Sequence, residues 1–300
     1  MPSSTDPILT DERWNELIEI RATDPSRAPI ALRERPRRPL LTDGRLFIVA
    51  ADHSARGMLG VRDEPFAMAD RRRTIEALLI ALANDGVDGV LVSADIAEEL
   101  ALLGALDGKL VFGTMNRGGI AGARWELDDR MTAYSAATLV ANGLDGGKVL
   151  LRIADDDAGT APTIEACARA VDECAAAGLP IMVEPLPYHV VDGRAQLLAD
   201  DDALLRAVAI GAGLGGTSSA TWLKVPASAD PARLLATSTL PALILGGSPG
   251  ADPEAAYNSW ARAMAVPNAR GLVVGRSLLY PADGDVAGAI ERAAAIVRPG

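Results

Sequence analysis

The stretch KVLLRIADDDAGTAPTIEACARAVDECAAAGLPIMVEP (residues 148–185) contains one complete β–α–β unit. It opens on a short apolar run, KVLLRI (148–153), and passes through the acidic loop RIADDDAGTAP (152–162). TIEACARAVDECAAAG (163–178) follows, with apolar residues at the 3.6-residue helical period and a glycine at its stop. PIMVEP (180–185) then returns to strand. The same rhythm runs outward in both directions. Strands are predicted at LFIVAA (46–51), GVLVS (89–93), LVFGT (110–114), TWLKV (221–225), ALILG (242–246) and GLVVG (271–275), with helical stretches such as RRRTIEALLIALANDG (71–86) between them. Eight β–α units in about 250 residues predict an α/β protein built as a (β/α)8 (TIM) barrel. A doubly wound open sheet is the rival, but no G-x-G-x-x-G follows the first strand.

The composition agrees with packed helices around a buried parallel sheet: 49% of the 300 residues are hydrophobic and only 4% aromatic. A net charge of −11, with no Lys/Arg run interleaved with aromatics, argues against nucleic acid as a partner. No apolar stretch is long enough to span a bilayer, and MPSSTDPILTDERW lacks a basic start followed by an apolar run. A cytoplasmic protein with no membrane partner is therefore expected. Cys167 and Cys174 lie seven apart on one helical face and read as small core residues, neither bridged nor metal-binding.

Residues 1–44 stand apart from residues 45–300, the predicted catalytic barrel. DERWNELIEIRA reads as an amphipathic helix and PSRAPIALRERPRRPLL as an extended arm, covering the barrel bottom or a neighbouring subunit. The Gly-rich GAGLGGTSSA (211–220) precedes a strand, which puts it on the face opposite the usual barrel site and gives it a structural role.

Barrel chemistry comes from the C-terminal ends of strands and the loops after them. The first strand runs into Asp52 and His53, the third into Asn116 and Arg117; the fourth carries Lys148 and Arg152, the fifth Glu184 and the sixth Lys224. The last two end in Gly246-Gly247-Ser248 and Gly275-Arg276. Most have a bland alternative: Lys148 as a solvated residue, Glu184 as a salt-bridge partner, Asp52 as a turn cap, His53 as a local hydrogen bonder. Lys224 resists one, with Trp222, Leu223 and Val225 crowding it. A lysine among apolar walls and beside a second cation, Lys148, offers a neutral amine that attacks a ketone or aldehyde to form an imine. Glu184 would shuttle protons, and Asp52 would serve as a second acid/base or orient the substrate. The Gly246–Ser248 and Gly275–Arg276 segments suit a phosphate, because glycines admit backbone N–H groups and arginine adds a forked cation.

These segments resemble the class I, Schiff-base aldolases of the deoxyribose-phosphate, archaeal-type fructose-bisphosphate and tagatose-bisphosphate group. IVAADHSARG, GGKVLLRIADDD, LPIMVEPLPY, TWLKVPAS and GLVVGRSLLY are similar to that group's segments in strands one, four, five, six and eight, and the resemblance spans roughly residues 44–297. The chain also resembles the (β/α)8 aldolase-like proteins of actinobacteria associated with inositol catabolism. The resemblance implies a lyase without cofactor or metal, with Lys224 forming the imine and Lys148 and Glu184 as partners; an exchange of the two lysines' roles stays open. Family analogy points to a homo-oligomer. Arg152 stands where relatives often have an aromatic residue, and would accept a substrate carboxylate. With His53 and Asn116 completing the binding groups, the expected substrate is a phosphorylated sugar or sugar acid. One example is 2-deoxy-5-keto-gluconate 6-phosphate, cleaved to dihydroxyacetone phosphate and malonate semialdehyde. Two alternatives use the same barrel: a metal-dependent lyase or isomerase built on Asp52, His53 and Glu184, and a non-catalytic sugar-phosphate-binding sensor or assembly partner that uses the N-terminal arm as its interaction surface.

Overall fold

The computed structural model describes residues 8–250 and 252–299. Nine strands form: β1 (Leu46–Ala50), β2 (Gly89–Val92), β3 (Leu110–Thr114), β4 (Gly146–Ile153), β5 (Ile181–Val191), β6 (Arg194–Leu197), β7 (Thr221–Pro226), β8 (Ala242–Leu245) and β9 (Ala269–Val274). All except β6 pair in parallel in the order β1-β2-β3-β4-β5-β7-β8-β9, and β9 pairs back to β1. The sheet is therefore a closed (β/α)8 barrel, as the β–α rhythm predicts. The helices are α1 (Asp11–Thr23), α2 (Arg27–Glu34), α3 (Arg71–Leu82), α4 (Ala94–Leu102), α5 (Ala136–Ala141), α6 (Thr160–Ala176), α7 (Asp201–Ala212), α8 (Pro231–Leu235), α9 (Pro253–Met264), α10 (Arg276–Leu279) and α11 (Val286–Val297). An Asp side chain caps α3, α7, α8, α9 and α11, accepting an N–H that the first turn leaves unpaired.

Strand alternation sorts the side chains into two cores. Val49, Val90, Val149, Val183, Leu223 and Val225 face outward and pack in the layer between barrel and helices. Cys167 and Cys174 of α6 join that layer as free, buried thiols. Ile48, Leu110, Phe112, Met182 and Leu243, with Trp222, fill the barrel interior. The sequence expectation that Leu223 and Val225 crowd Lys224 is thereby corrected, because adjacent residues of a strand point to opposite faces.

The segment read as an extended arm is partly helical. α2 forms because Pro29 falls in its first turn, where no hydrogen bond is lost, and because Ala28 and Leu32 bury one face. The chain is extended only beyond Arg35, and there it crosses the barrel bottom. Arg35 Nη2 donates to Asp145 Oδ2 at 2.5 Å, Arg37 Nη2 to Asp145 Oδ1 at 2.7 Å and Arg38 Nη1 to Asp88 Oδ1 at 2.8 Å. The same carboxylates accept strand N–H groups: Val111 N reaches Asp145 at 2.9 Å and Phe47 N reaches Asp88 at 2.7 Å. Residues 1–7 of the N-terminal segment lie outside the described residues. GAGLGGTSSA joins α7 to β7 on this bottom face, away from the cavity described below.

Removing one partner of a buried ion pair leaves an uncompensated charge, at a cost of about 3–5 kcal/mol. Asp145→Ala is expected to lose stability of that order in urea unfolding, whereas Asp202→Ala, which removes an exposed partner of Arg233, is expected to change it by less than about 1 kcal/mol.

Candidate active site

At the C-terminal ends of the strands a cavity of about 240 Å³ opens into the barrel. Its floor follows from register. Met182 of β5 pairs with Lys148 of β4 on one side and with Trp222 of β7 on the other. Two residues further along, β5 and β7 bring Glu184 and Lys224 inward together. Lys224 Nζ donates to Glu184 Oε1 at 2.7 Å, and Lys148 Nζ lies 2.6 Å from Glu184 Oε2. One carboxylate thus holds two ammonium groups, and Lys148 also lies 3.5 Å from Asp52 Oδ2. Lys148 is 3% exposed and Lys224 5%. The long stem that Lys148 needs to reach upward from early in β4 is what delivers its nitrogen here.

Burial alone would raise the Glu184 carboxyl, but Lys148 and Lys224 outweigh it and hold the group down at about 2. Asp52 is likewise well below the usual carboxylate range: burial opposes, while Lys148 and Arg117 pull it down. Lys148 is below the ordinary lysine value because burial outweighs the pull of Glu184 and Asp52, and Lys224 adds to the lowering. Burial also takes His53 down to about 3, so the imidazole is neutral, and its Nδ1 has no hydrogen-bond partner among the described residues.

The β8 and β9 ends sit together at the rim. Arg276 Nη2 donates to Ser248 Oγ at 3.1 Å, and Gly246, Gly247 and Gly275 line the same cavity. Gly275 also has a packing reason, since a Cβ there would come within 2.2 Å of Ala50 O and 2.8 Å of the His53 ring.

Two expected binding residues are spent elsewhere. Asn116 is fully buried and clamps β4, donating to Leu150 O at 2.6 Å and accepting from Leu150 N at 2.8 Å. It does not face the cavity, because its amide replaces a missing ladder contact beyond β3. Arg152 lines the cavity but is not free to take a carboxylate. Its Nη1 donates to Glu126 Oε1 at 2.6 Å; its Nη2 donates to Glu126 O and to Gly119 O and lies 3.3 Å from Asp129 Oδ2. Arg56 joins the same cluster, with Nη1 on Asp129 and Nη2 on Asn116 O at 2.5 Å. Gly119 is the residue that lets Arg152 in, since a Cβ there would come within 2.1 Å of Arg152 Nη2.

The sequence reading missed Glu126 and Asp129, which lie in an irregular loop, and Arg56, which lies in a single 3-10 turn after β1, with no period to mark them. It also missed Tyr188, whose ring lies 5.7 Å from the Arg152 guanidinium carbon. β5 runs six residues past its predicted end and turns back on β6. The signal was legible: Asp192-Gly193 adopts φ of 51° and 73°, the Asp-Gly type I′ pattern of a two-residue hairpin. Among the described residues no three His, Cys, Asp or Glu side chains gather as a metal site. Glu184, which the metal alternative needs, is occupied by two ammonium groups.

Glu184 contributes stability that is fully present above its ordinary value of 4.5 and is lost as pH falls toward about 2. That contribution is about 3 kcal/mol at neutral pH. In Glu184→Gln, urea unfolding is expected to show lower stability at pH 7 and a shallower loss between pH 4.5 and pH 3 than in the wild type.

The family described as Cgl0159-like matches residues 44–294. The chain is similar to the crystal structure of Cgl0159 from Corynebacterium glutamicum, with 48% identity over 98% of this chain and 99% of that one, at a TM-score of 0.95. It shares the barrel fold, at a TM-score of 0.63 and 20% identity, with an archaeal fructose 1,6-bisphosphate aldolase, covering 86% of this chain and 95% of that one. A further archaeal fructose-1,6-bisphosphate aldolase structure, with the catalytic Lys covalently bound to the carbinolamine intermediate of the substrate, aligns at 20% identity and a TM-score of 0.63 over 85% of this chain and 94% of that one. No curated protein matches the chain.

Proposed function

The chain belongs to the Cgl0159-like family, and we propose that it is a class I, Schiff-base aldolase that makes or breaks a C–C bond in a phosphorylated carbonyl compound. The observation that carries this reading is Glu184 held between Lys224 and Lys148, at 2.7 and 2.6 Å, inside the barrel. Imine chemistry on the shared fold, in the archaeal aldolase whose lysine carries a carbinolamine, supports it.

Lys224 is the nucleophile in this reading. It sits on β7 beside β8, next to the rim of Ser248 and Arg276, so a substrate phosphate at that rim brings its carbonyl carbon to Nζ. Attack forms the C–N bond of a carbinolamine after Glu184 takes a proton from the amine. Lys148 hands a proton to the departing hydroxyl, and water leaves to give the iminium. Lys148 suits this relay, because it contacts Glu184 and Asp52 and burial weakens its hold on its proton. A carboxylate, Asp52 or Glu184, removes the proton of the β-hydroxyl. The C–C bond breaks, an aldehyde departs, and the electron pair moves into the enamine. Reprotonation at carbon and hydrolysis release the ketone and restore the amine. The carboxylate-bearing example given above loses its original support, because Arg152 is already paired.

Borohydride reduction with dihydroxyacetone phosphate, read by peptide mass spectrometry, is expected to leave a secondary amine on the Lys224 peptide and none in Lys224→Met. Lys148→Met is expected to slow trapping by about 10²–10⁴-fold, and EDTA to leave it unchanged. An adduct on Lys148 would exchange the two roles. No adduct on folded protein with any carbonyl phosphate would overturn the reading.

A further inference from the structure

The scheme above leaves Arg56, Arg117 and Arg152 of the cavity unused, and of these only Arg117 has a terminal nitrogen without a hydrogen-bond partner among the described residues. It lies three residues beyond β3, lines the cavity and is 7% exposed. Its backbone N–H donates to Arg130 O at 3.1 Å, which fixes the main chain and leaves the guanidinium free. Nη1 stands 3.5 Å from Asp52 Oδ2. Nε and Nη2 have no hydrogen-bond partner among the described residues. A buried donor without a partner carries a desolvation cost that is larger when the group is charged. The contrast with its neighbours is local, since both terminal nitrogens of Arg56 and Arg152 are hydrogen-bonded.

Two features narrow what Arg117 awaits. Nε and Nη2 form one edge of the guanidinium, the parallel pair of donors that matches the two oxygens of a planar carboxylate. Asp52 already stands against the third nitrogen, which disfavours a second phosphate dianion there more than a carboxylate monoanion. Charge points the same way: Arg56 and Arg152 are balanced by Asp129 and Glu126, and Lys148, Lys224, Arg117 and Arg276 then stand against Asp52 and Glu184, which leaves two positive charges in excess. Arg117 stands after β3 and Arg276 after β9, on opposite sides of Lys224 and Glu184 in the order of the barrel.

We propose that Arg117 binds a carboxylate at the end of the substrate remote from its phosphate, so that the substrate class is a phosphorylated keto or sugar acid. The proposal rests on the reading above only for the phosphate at Arg276, and its test involves no imine.

The test is calorimetric binding of two matched pairs, each differing only in a carboxylate against a hydroxymethyl group: 6-phosphogluconate against glucitol 6-phosphate, and 3-phosphoglycerate against glycerol 3-phosphate. None of the four carries a ketone or aldehyde, so a failure of the aldolase reading in borohydride trapping leaves this result independent. In the wild type, the acid is expected to bind at least tenfold more tightly in one pair. In Arg117→Met the two members are expected to bind within about twofold of each other, and in Arg117→Lys part of the preference is expected to return. Arg276→Met is expected to weaken both members alike and preserve the ratio. Equal affinities in both wild-type pairs, no binding of either acid, or a preference that survives Arg117→Met overturns the proposal. Circular dichroism checks the fold of each variant; if Arg117→Met does not fold, the wild-type ratio and Arg117→Lys decide.

Discussion

The site depends on one carboxylate placed between two ammonium groups where water is scarce. Burial weakens the hold of Lys148 on its proton, and a lone ammonium at this depth would carry a large desolvation cost. Glu184 alone would be driven toward the neutral acid. Together the three hold a charge distribution that can shift by one proton without a new charge being created in the interior. The arrangement needs β4, β5 and β7 in one register, because a slip of one residue would turn Lys148, Glu184 and Lys224 out into the helical layer. The hydrophobic alternation that packs Val149, Val183, Leu223 and Val225 against the helices therefore also aims the reactive groups.

The charges around that centre divide by how fully they are occupied. Arg152 and Arg56 are held by Glu126 and Asp129 and fasten the irregular chain after β3 to the barrel wall. Arg117 keeps Nε and Nη2 unpartnered among the described residues, and Arg276 rests on Ser248 Oγ and the Gly60 carbonyl with no carboxylate in contact. An arginine's type says nothing about which group it joins. For Arg152 it is decided by the two carboxylates folded beside it, 26 and 23 residues earlier in the chain.

This division explains what could be read from the sequence. The barrel was legible because each of its eight parallel strands contains a short apolar run bounded by turn residues, and helices such as α3 and α6 keep their period. Lys148, Glu184, Lys224 and Asp52 were legible as polar residues on or just after buried strands, and the geometry brings them together. Arg152 met the same criterion and was misassigned, because its partners come from a loop whose path no periodicity encodes. Asn116 was misassigned for a similar reason: a side chain that substitutes for backbone hydrogen bonding looks, in sequence, like one waiting for ligand. The helix α2 was hidden by Pro29, whose tolerance in a first turn depends on where the helix begins.

The clamp at the barrel bottom has a topological side. Asp88 receives Arg38 from the arm that precedes β1 and Arg298 from the chain beyond α11, both at 2.8 Å, while also accepting the Phe47 N–H at the start of β1. Segments about 260 residues apart in sequence thus meet at a single buried side chain. The barrel is a ring in its hydrogen bonding, and Asp88 makes it close to a ring in its covalent path as well. The approach to β1 and the exit from α11 are held side by side on one carboxylate, so loosening Asp88 would free both flanks of the β1–β9 seam that closes the barrel at once.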